Sequence, residues 1–196
     1  MHAFIKKMPV TRSNYIFKIV VGGAGGVGKT TLLHRYLQNE FLTDTAMTIG
    51  INFLNKELTR DGARIALTLW DLGGQERFRF FQPSCCMGAK AAIVFFDMTR
   101  LETTFQVKDW VDMFRSNASP DIPIILGGTK LDMANPGMID GVNDCARGLV
   151  EQLELSRYLT TSSKTGENVK ETFDYLVDLL LQQANHENVV ALPSIE

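Results

Sequence analysis

One stretch of this 196-residue chain constrains its fold more than any other: Gly23 to Thr30, which reads Gly-Ala-Gly-Gly-Val-Gly-Lys-Thr. It fits the pattern G-x-x-x-x-G-K-[ST] and lies between a β-branched segment, Ile16–Val21, and a segment with apolar residues at helical spacing, Thr31–Leu37. Glycines in such a loop let backbone N–H groups converge on a phosphate, and the start of the following helix adds positive potential. The stretch therefore predicts a phosphate-binding loop between a strand and a helix. Lys29 would place a charge on the terminal phosphates and Thr30 a hydroxyl on Mg²⁺.

Composition limits the classes of protein to consider. The hydrophobic fraction is 45% and the formal net charge is −2, which fits one globular domain and argues against a general nucleic-acid partner. No apolar run approaches the roughly 20 residues needed to span a bilayer, and the start lacks the long apolar core of a signal peptide. A cytoplasmic location is expected. Cys85, Cys86 and Cys145 are interpreted as small core-filling thiols in a reducing compartment, with a redox or metal role as the alternative.

Strands alternate with helices along the rest of the chain. Strands are predicted at 16–21, 51–59, 63–70, 91–96, 122–126 and 157–161, and helices at 31–37, 103–115, 142–153 and 168–183. Asp61-Gly62 reads as a hairpin turn, and Gly127-Gly128 as the end of the fifth strand. The second of these helices, 103–115, is expected to bury Phe105, Trp110, Val111 and Phe114. The pattern predicts one α/β domain over residues 15–183, with a mostly parallel six-stranded sheet covered by helices on both faces. Residues 1–14 are expected to be a flexible leader (a short helix with Phe4, Ile5 and Met8 is the alternative) and residues 184–196 a flexible tail.

Five short motifs stand in a family-like order and spacing. They are Gly23 to Thr30, Thr48-Ile49-Gly50, Trp70-Asp71-Leu72-Gly73-Gly74-Gln75-Glu76-Arg77-Phe78, Thr129-Lys130-Leu131-Asp132 and Ser162-Ser163-Lys164. Together they resemble the nucleotide-binding motifs of the Ras-like small GTPases over about residues 15–183. This resemblance implies a GTP-binding domain that uses Mg²⁺.

The resemblance assigns roles around the phosphates. Thr48 would close over the γ-phosphate and bind Mg²⁺, the Gly74 N–H would bond the same phosphate, and Gln75 would orient the attacking water. Asp71 would hold Mg²⁺ through water; as an alternative it caps the turn that follows, and Gln75 is alternatively a solvated surface residue. The implied catalytic residues are Gln75, Lys29 and Thr48, and the implied metal ligands are Thr30, Thr48 and Asp71. The implied nucleotide-binding residues are Gly25, Gly26, Val27, Gly28, Lys29, Thr30, Thr31, Phe41, Thr48, Gly74, Thr129, Lys130, Asp132, Ser162, Ser163 and Lys164.

Guanine selectivity is expected from Asp132. A carboxylate can accept hydrogen bonds from both the ring N–H and the exocyclic amine of guanine, and adenine lacks that pair of donors. In the family pattern the stem of Lys130 lies along the base and the Ser163 N–H meets the guanine carbonyl, while Ser162 and Lys164 support the loop. Phe41 stands where the family places an aromatic ring against the base, although a core aromatic is nearly as consistent with the sequence.

The motif variants are mixed but nearest to Rab. Thr48-Ile49-Gly50 with Phe53, and Gln75 to Phe78, resemble Rab proteins. Leu72-Gly73-Gly74 resembles Arf or Gα, and Thr129 resembles Rho. Phe53 and Trp70 match two members of the aromatic triad with which Rab proteins bind effectors, whereas Cys85 stands at the third.

No lipidation signal is recognisable. His2 stands where N-myristoylation requires glycine, and the end Leu192 to Glu196 contains no cysteine for prenylation. We therefore expect no stable membrane anchor. The sequence leaves open whether the protein is soluble, recruited by a partner, or from a lineage whose small GTPases are not lipidated.

These observations predict a GTP-binding switch with slow GTPase activity. Bound GTP and Mg²⁺ would order residues 39–50 and 71–88, and hydrolysis would release them. Activating, exchange and effector proteins would bind through residues 39–53 and 71–88. Hydrolysis should be slow because Asp44-Thr45-Ala46-Met47, before Thr48, lacks the arginine of Gα proteins, and the resemblance assigns no such role to Arg77 or Arg79. The alternatives are a scaffold locked in one nucleotide state and a general NTPase; Gln75 and Gly25 argue against the first, Asp132 against the second.

Overall fold

Six strands form one twisted sheet in this computed structural model, which describes residues 14–43, 47–75, 77 and 79–190. The strands are β1 (Asn14–Gly23), β2 (Ile51–Arg60), β3 (Ala63–Leu72), β4 (Ala91–Asp97), β5 (Ile124–Thr129) and β6 (Arg157–Thr160). Their order across the sheet is β2-β3-β1-β4-β5-β6, with β2 antiparallel to β3 and every other neighbouring pair parallel. The predicted α/β architecture is confirmed.

The described residues also form five α-helices and three short 3₁₀ turns. The helices are α1 (Lys29–Gln38), α2 (Gln82–Cys86), α3 (Val107–Asn117), α4 (Ile139–Gln152) and α5 (Val169–Val190). The 3₁₀ turns are Leu101–Gln106, Leu131–Met133 and Pro136–Met138. Helix α5 continues past its predicted end at Gln183. The leader up to residue 13 and the segment 191–196 lie outside the described residues, and the domain limits stay predictions.

The core has two layers because β4 is buried on both faces. Ile93 and Phe95 face α1 and α5, where they pack with Leu33 and Phe173. The alternate residues of the strand face the other layer, whose members include Val94, Phe96, Trp110, Phe114, Val142 and Ala146 from β4, α3 and α4. The continuous apolar run of β4 is thus explained by helices on both sides of the sheet.

Two expectations about glycine and aromatic residues are wrong. Strand β5 does not end at Gly127-Gly128 but runs through both to Thr129. A Cβ on Gly127 would lie 2.3 Å from the ring of Phe95, so the glycine makes room for a core aromatic ring and is no strand breaker. Phe105 is 80% exposed, because residues 101–106 form a 3₁₀ turn that buries Thr103 and Thr104 before α3 begins.

The cysteines divide into two groups. Cys85 and Cys86 are buried in the layer below α3, whereas Cys145 on α4 is exposed, so the core-filling interpretation is wrong for that residue. None of the three cysteines forms a disulfide bond. Within the described part of the chain, no helix is both long and apolar enough to cross a membrane.

The parallel strands bring the predicted motifs to one edge of the sheet. β1, β3, β4 and β5 end at Gly23, Leu72, Asp97 and Thr129, and their registers place these ends side by side. In open α/β sheets this carboxyl edge is where ligands bind.

Candidate nucleotide-binding site

The phosphate-binding loop joins β1 to α1, as predicted. Gly26 and Gly28 have φ angles of 73° and 94°, a backbone conformation that favours glycine. The Lys29 side chain is only 6% exposed, and its Nζ donates to the carbonyl oxygens of Gly23 at 2.8 Å and Ala24 at 3.0 Å. Burial lowers the pKa of Lys29 to about 8, although nearby Asp71 opposes this shift. A cation is thus fixed at the floor of the loop.

Three oxygen-bearing side chains meet beside Lys29. The Oγ1 atoms of Thr30 and Thr48 lie 2.6 Å apart, and Thr30 Oγ1 donates to Asp71 Oδ2 at 2.5 Å. Asp71 is fully buried, and its Oδ1 has no hydrogen-bond partner among the residues that the structure describes. Burial raises the pKa of Asp71, although hydrogen bonds from the two hydroxyls and the charge of Lys29 oppose this.

This cluster fits a hard divalent cation. An orphaned, buried carboxylate oxygen is costly unless a cation or donor meets it, and hydroxyl and carboxylate oxygens are the ligands that Mg²⁺ prefers. The Asp71 carboxylate contacts Thr30 and Thr48, the two other residues expected to bind Mg²⁺. The alternative role of Asp71, capping the turn that follows, does not account for these contacts.

A cleft of about 230 Å³ opens above the loop. It is lined by Gly25, Gly26, Gly28, Lys29, Thr30, Thr31, Met47, Thr48, Gly74, Gln75 and Lys130. Gly74 is pressed against the phosphate-binding loop, since a Cβ there would lie 2.4 Å from the Gly23 carbonyl oxygen. Gln75 reaches across the cleft, with Nε2 3.8 Å from Met47 Sδ. Lys29 and Lys130 are the cations among the described residues that line it.

A second cavity, of about 420 Å³, continues from this cleft. It is lined by Val27, Gly28, Thr31, Phe41, Leu42, Thr43, Thr129, Lys130, Asp132, Met133, Ser163 and Lys164. The two cavities share Gly28, Thr31 and Lys130, so they form one groove with a phosphate end and a base end. Phe41 is 40% exposed at the base end, which rules out the core-aromatic alternative for this residue.

Buried hydroxyls hold the base end in place. Ser162 lies behind the cavity, where its Oγ donates to Asp132 Oδ1 at 2.6 Å and accepts from the Thr165 N–H at 3.1 Å. Thr129 Oγ1 is 2.6 Å from the Val27 carbonyl oxygen, so it joins the base end to the phosphate-binding loop. Asp132 itself is exposed and directed at the ligand space.

Each predicted site residue therefore lies in or directly behind the groove. Ser162 and Asp71 form the layer behind it, and the other predicted residues line one or both cavities. Glu76, Phe78 and residues 44–46 lie outside the described residues. Sequence reasoning missed Met47, Asp97 and Arg100, which contact site residues. A signal existed for Asp97, because a charged residue that ends a buried parallel strand lies at the ligand edge.

Comparison with known proteins agrees with this geometry. The model of the Ras family matches residues 18–182. The chain is 37% identical to the Ras-related protein Rab-4B of Homo sapiens over 160 residues, which cover 82% of this chain and 74% of that protein. It is 32% identical to the human Ras-related protein Rab-3A over 182 residues, which cover 93% of this chain and 81% of that protein. The chain belongs to the Ras family of small GTPases and is of the Rab-like type.

Proposed function

We propose that this protein is a molecular switch that binds GTP and GDP and hydrolyses GTP slowly. The observation that carries the proposal is the single groove described above. A buried lysine and an oxygen cluster stand at its phosphate end, and a carboxylate held by a buried serine stands at its base end. The match to the Ras family supports the same conclusion.

Mg²⁺ would be held by the hydroxyls of Thr30 and Thr48 together with Asp71. When bound, it would neutralise charge on the β- and γ-phosphates. Lys29 would exchange its hydrogen bonds to the two loop carbonyls for the terminal phosphates. Gly74, fixed against the loop, would direct its N–H at the γ-phosphate, and Gln75 would orient the attacking water.

We expect hydrolysis to be slow because no arginine is among the described residues that line the phosphate end of the groove. Charge develops on the γ-phosphate oxygens in the transition state, and an arginine supplied by a partner accelerates this reaction by roughly 10³–10⁵ in such enzymes. The described residues that line the phosphate end offer two lysines and no arginine. Arg79 is instead 3.8 Å from Asp109 on α3. A Cβ on Gly25 would meet only ordinary contacts, at 3.8 Å from Met47, so there is space for an incoming side chain.

The switch would act through the two segments that meet at the γ-phosphate. The Gly73 N–H donates to the Gly50 carbonyl oxygen at 2.9 Å, so residues 39–53 and 71–88 are joined directly. Ile49, Phe53, Phe80 and Met87 are exposed on these segments and would contact activating, exchange and effector proteins. Cys85 is buried, so the third triad position would offer no side chain to a Rab-type partner. We place this switch in the cytoplasm, in trafficking or signalling.

Single-turnover hydrolysis combined with nucleotide competition tests the proposal. Labelled GDP should be displaced by GTP and not by excess ATP, and bound GTP should be hydrolysed over minutes to hours. Gln75→Leu should suppress hydrolysis with GTP binding intact, while Gln106→Leu serves as a control outside the groove. Displacement by ATP would favour a general NTPase. Binding without hydrolysis, unchanged by Gln75→Leu, would favour a nucleotide-locked scaffold.

A further inference from the structure

Asp97, the last residue of β4, is a buried carboxylate with four donors. It is fully buried, and its Oδ2 accepts from Lys130 Nζ at 2.7 Å and Arg100 Nε at 3.0 Å. Its Oδ1 accepts from the N–H and hydroxyl of Thr99 at 2.9 and 2.7 Å. Burial alone would raise the pKa of Asp97, but these hydrogen bonds outweigh it and the pKa is lowered. The carboxylate is therefore ionised at neutral pH, and each of its two oxygens accepts two hydrogen bonds.

One of its partners belongs to the base end of the groove. Lys130 lines both cavities, and its backbone adopts a left-handed conformation with φ of 59°. A lysine side chain has a flexible four-carbon stem, which is costly to order. Because its ammonium group is anchored on Asp97, the stem is already ordered along the wall between the two cavities.

The other partner leads to the phosphate-binding loop. Arg100 Nη2 donates to the Gly25 carbonyl oxygen at 3.2 Å, while Nε of the same guanidinium bonds Asp97. Gly25 belongs to the phosphate-binding loop, so this hydrogen bond ties the Arg100 guanidinium to the backbone of the loop. A planar guanidinium can bridge a carboxylate and a carbonyl with two different nitrogens, which an ammonium group cannot do in the same geometry.

The charges of this cluster also favour an anionic ligand. Asp97 carries one negative charge, and Lys130 and Arg100 one positive charge each, so the three together leave one positive charge beside the groove. The cluster connects Lys130 at the base end to Gly25 of the phosphate-binding loop through one buried carboxylate.

We propose that Asp97 and Arg100 are positioning residues for nucleotide binding, which brace the phosphate-binding loop against the base-recognition loop and so slow nucleotide release. This inference rests on the proposed function. Neither residue touches the nucleotide in this scheme: Arg100 acts through Gly25, and Asp97 acts through Lys130 and Arg100.

The test is the rate of release of a fluorescent GDP analogue from the Mg²⁺-loaded full chain. Arg100→Ala should accelerate release about tenfold, the size expected for a lost hydrogen bond to a charged group. Arg100→Lys should fail to restore the slow rate. Asp97→Asn should accelerate release at least as much, and adding Arg100→Ala to it should change little further, because residues in one network are not additive. Arg147→Ala is the matched control, since Arg147 also pairs with an aspartate three residues before it, Asp144, but on α4.

Two further readouts separate the brace from other effects. The association rate of the GDP analogue should stay near that of wild type in Arg100→Ala, which places the loss in the release step, and thermal unfolding with saturating GDP should show an intact fold. Release rates that match wild type, additive effects of the two substitutions, or equal acceleration by Arg147→Ala would overturn the inference. A wild-type chain that does not retain GDP at all would instead overturn the proposed function.

Discussion

The two ends of the groove are built in opposite ways. At the phosphate end the charged groups themselves are buried: Lys29 is 6% exposed and Asp71 is fully buried, and both are held by backbone carbonyls or hydroxyls. At the base end the charged side chains of Asp132 and Lys164 are exposed. The buried group behind Asp132 is the neutral hydroxyl of Ser162, and among the described residues the only buried charge there, Asp97, lies behind Lys130.

From this difference we expect the phosphate end to supply most of the affinity for nucleotides and the base end most of the selectivity among bases. Charged groups that are already buried and positioned contribute strongly to the free energy of phosphate binding, because they need no further desolvation or ordering. This contribution does not depend on the base. An exposed carboxylate gains less from charge, but it rejects a base that cannot match its acceptors. Variants at the phosphate end should therefore weaken all nucleotides alike, whereas variants at the base end should change which nucleotide is preferred.

The largest effect is expected from Lys29→Ala. Removal of a buried charge that faces the phosphates should weaken GDP binding by roughly 10²–10³, as for one partner of a buried ion pair. The loss should be similar for inosine and xanthosine diphosphates, and equilibrium competition would measure it. Lys108→Ala, which removes an exposed lysine on α3, is the control. A loss confined to guanine nucleotides would contradict the separation of the two ends.

Asp132→Asn should reverse base preference instead. The amide can donate to the carbonyl that xanthine carries in place of the guanine amine, so GDP affinity should fall about 100-fold while xanthosine diphosphate binding improves. Parallel titrations with the two diphosphates would show it. If both ligands weakened equally, Asp132 would have no role in reading the base.

The elements and most site residues could be predicted because their signals are local. A few neighbouring residues are enough to predict the phosphate-binding loop with Lys29 and the buried strand β4. Gly127 was misinterpreted because its reason is Phe95 on a neighbouring strand, and Phe105 because the turn before α3 is 3₁₀. Neither reason is visible in residue spacing.

The second layer of the site was harder to predict for the same reason. Arg100 and Gly25 are joined by a hydrogen bond across 75 positions of sequence, and Ser162 and Asp132 across 30. Such pairs form only when parallel strands bring their carboxyl ends together. Ser162 was predicted through the family resemblance, whereas Arg100 falls outside the five motifs.

Ser162→Ala should give a smaller loss at the base end. The substitution removes the 2.6 Å hydrogen bond to Asp132 and leaves the carboxylate freer to rotate, so GDP affinity should fall about tenfold. The preference for guanine over xanthine should shrink without reversing. Ser116→Ala, at an exposed position on α3, provides the control in the same titration. A loss as large as that of Asp132→Asn would mean that Ser162 maintains the whole loop.

The smallest expected effect is a pH dependence at the phosphate end. In the empty protein burial lowers the pKa of Lys29 to about 8, and phosphate oxygens beside the ammonium group should raise it again. Binding then takes up a proton, so GDP affinity should fall as pH rises, by about threefold between pH 7.5 and 8.5. Asp71 acts in the opposite sense, because its pKa is raised by burial and Mg²⁺ needs the ionised carboxylate, so its contribution weakens binding as pH falls.

Calorimetry in buffers of different ionisation enthalpy would count the protons taken up on GDP binding. Lys29→Arg should remove the uptake, since a guanidinium stays protonated over this range. An undiminished uptake in that variant would show that another group carries the proton.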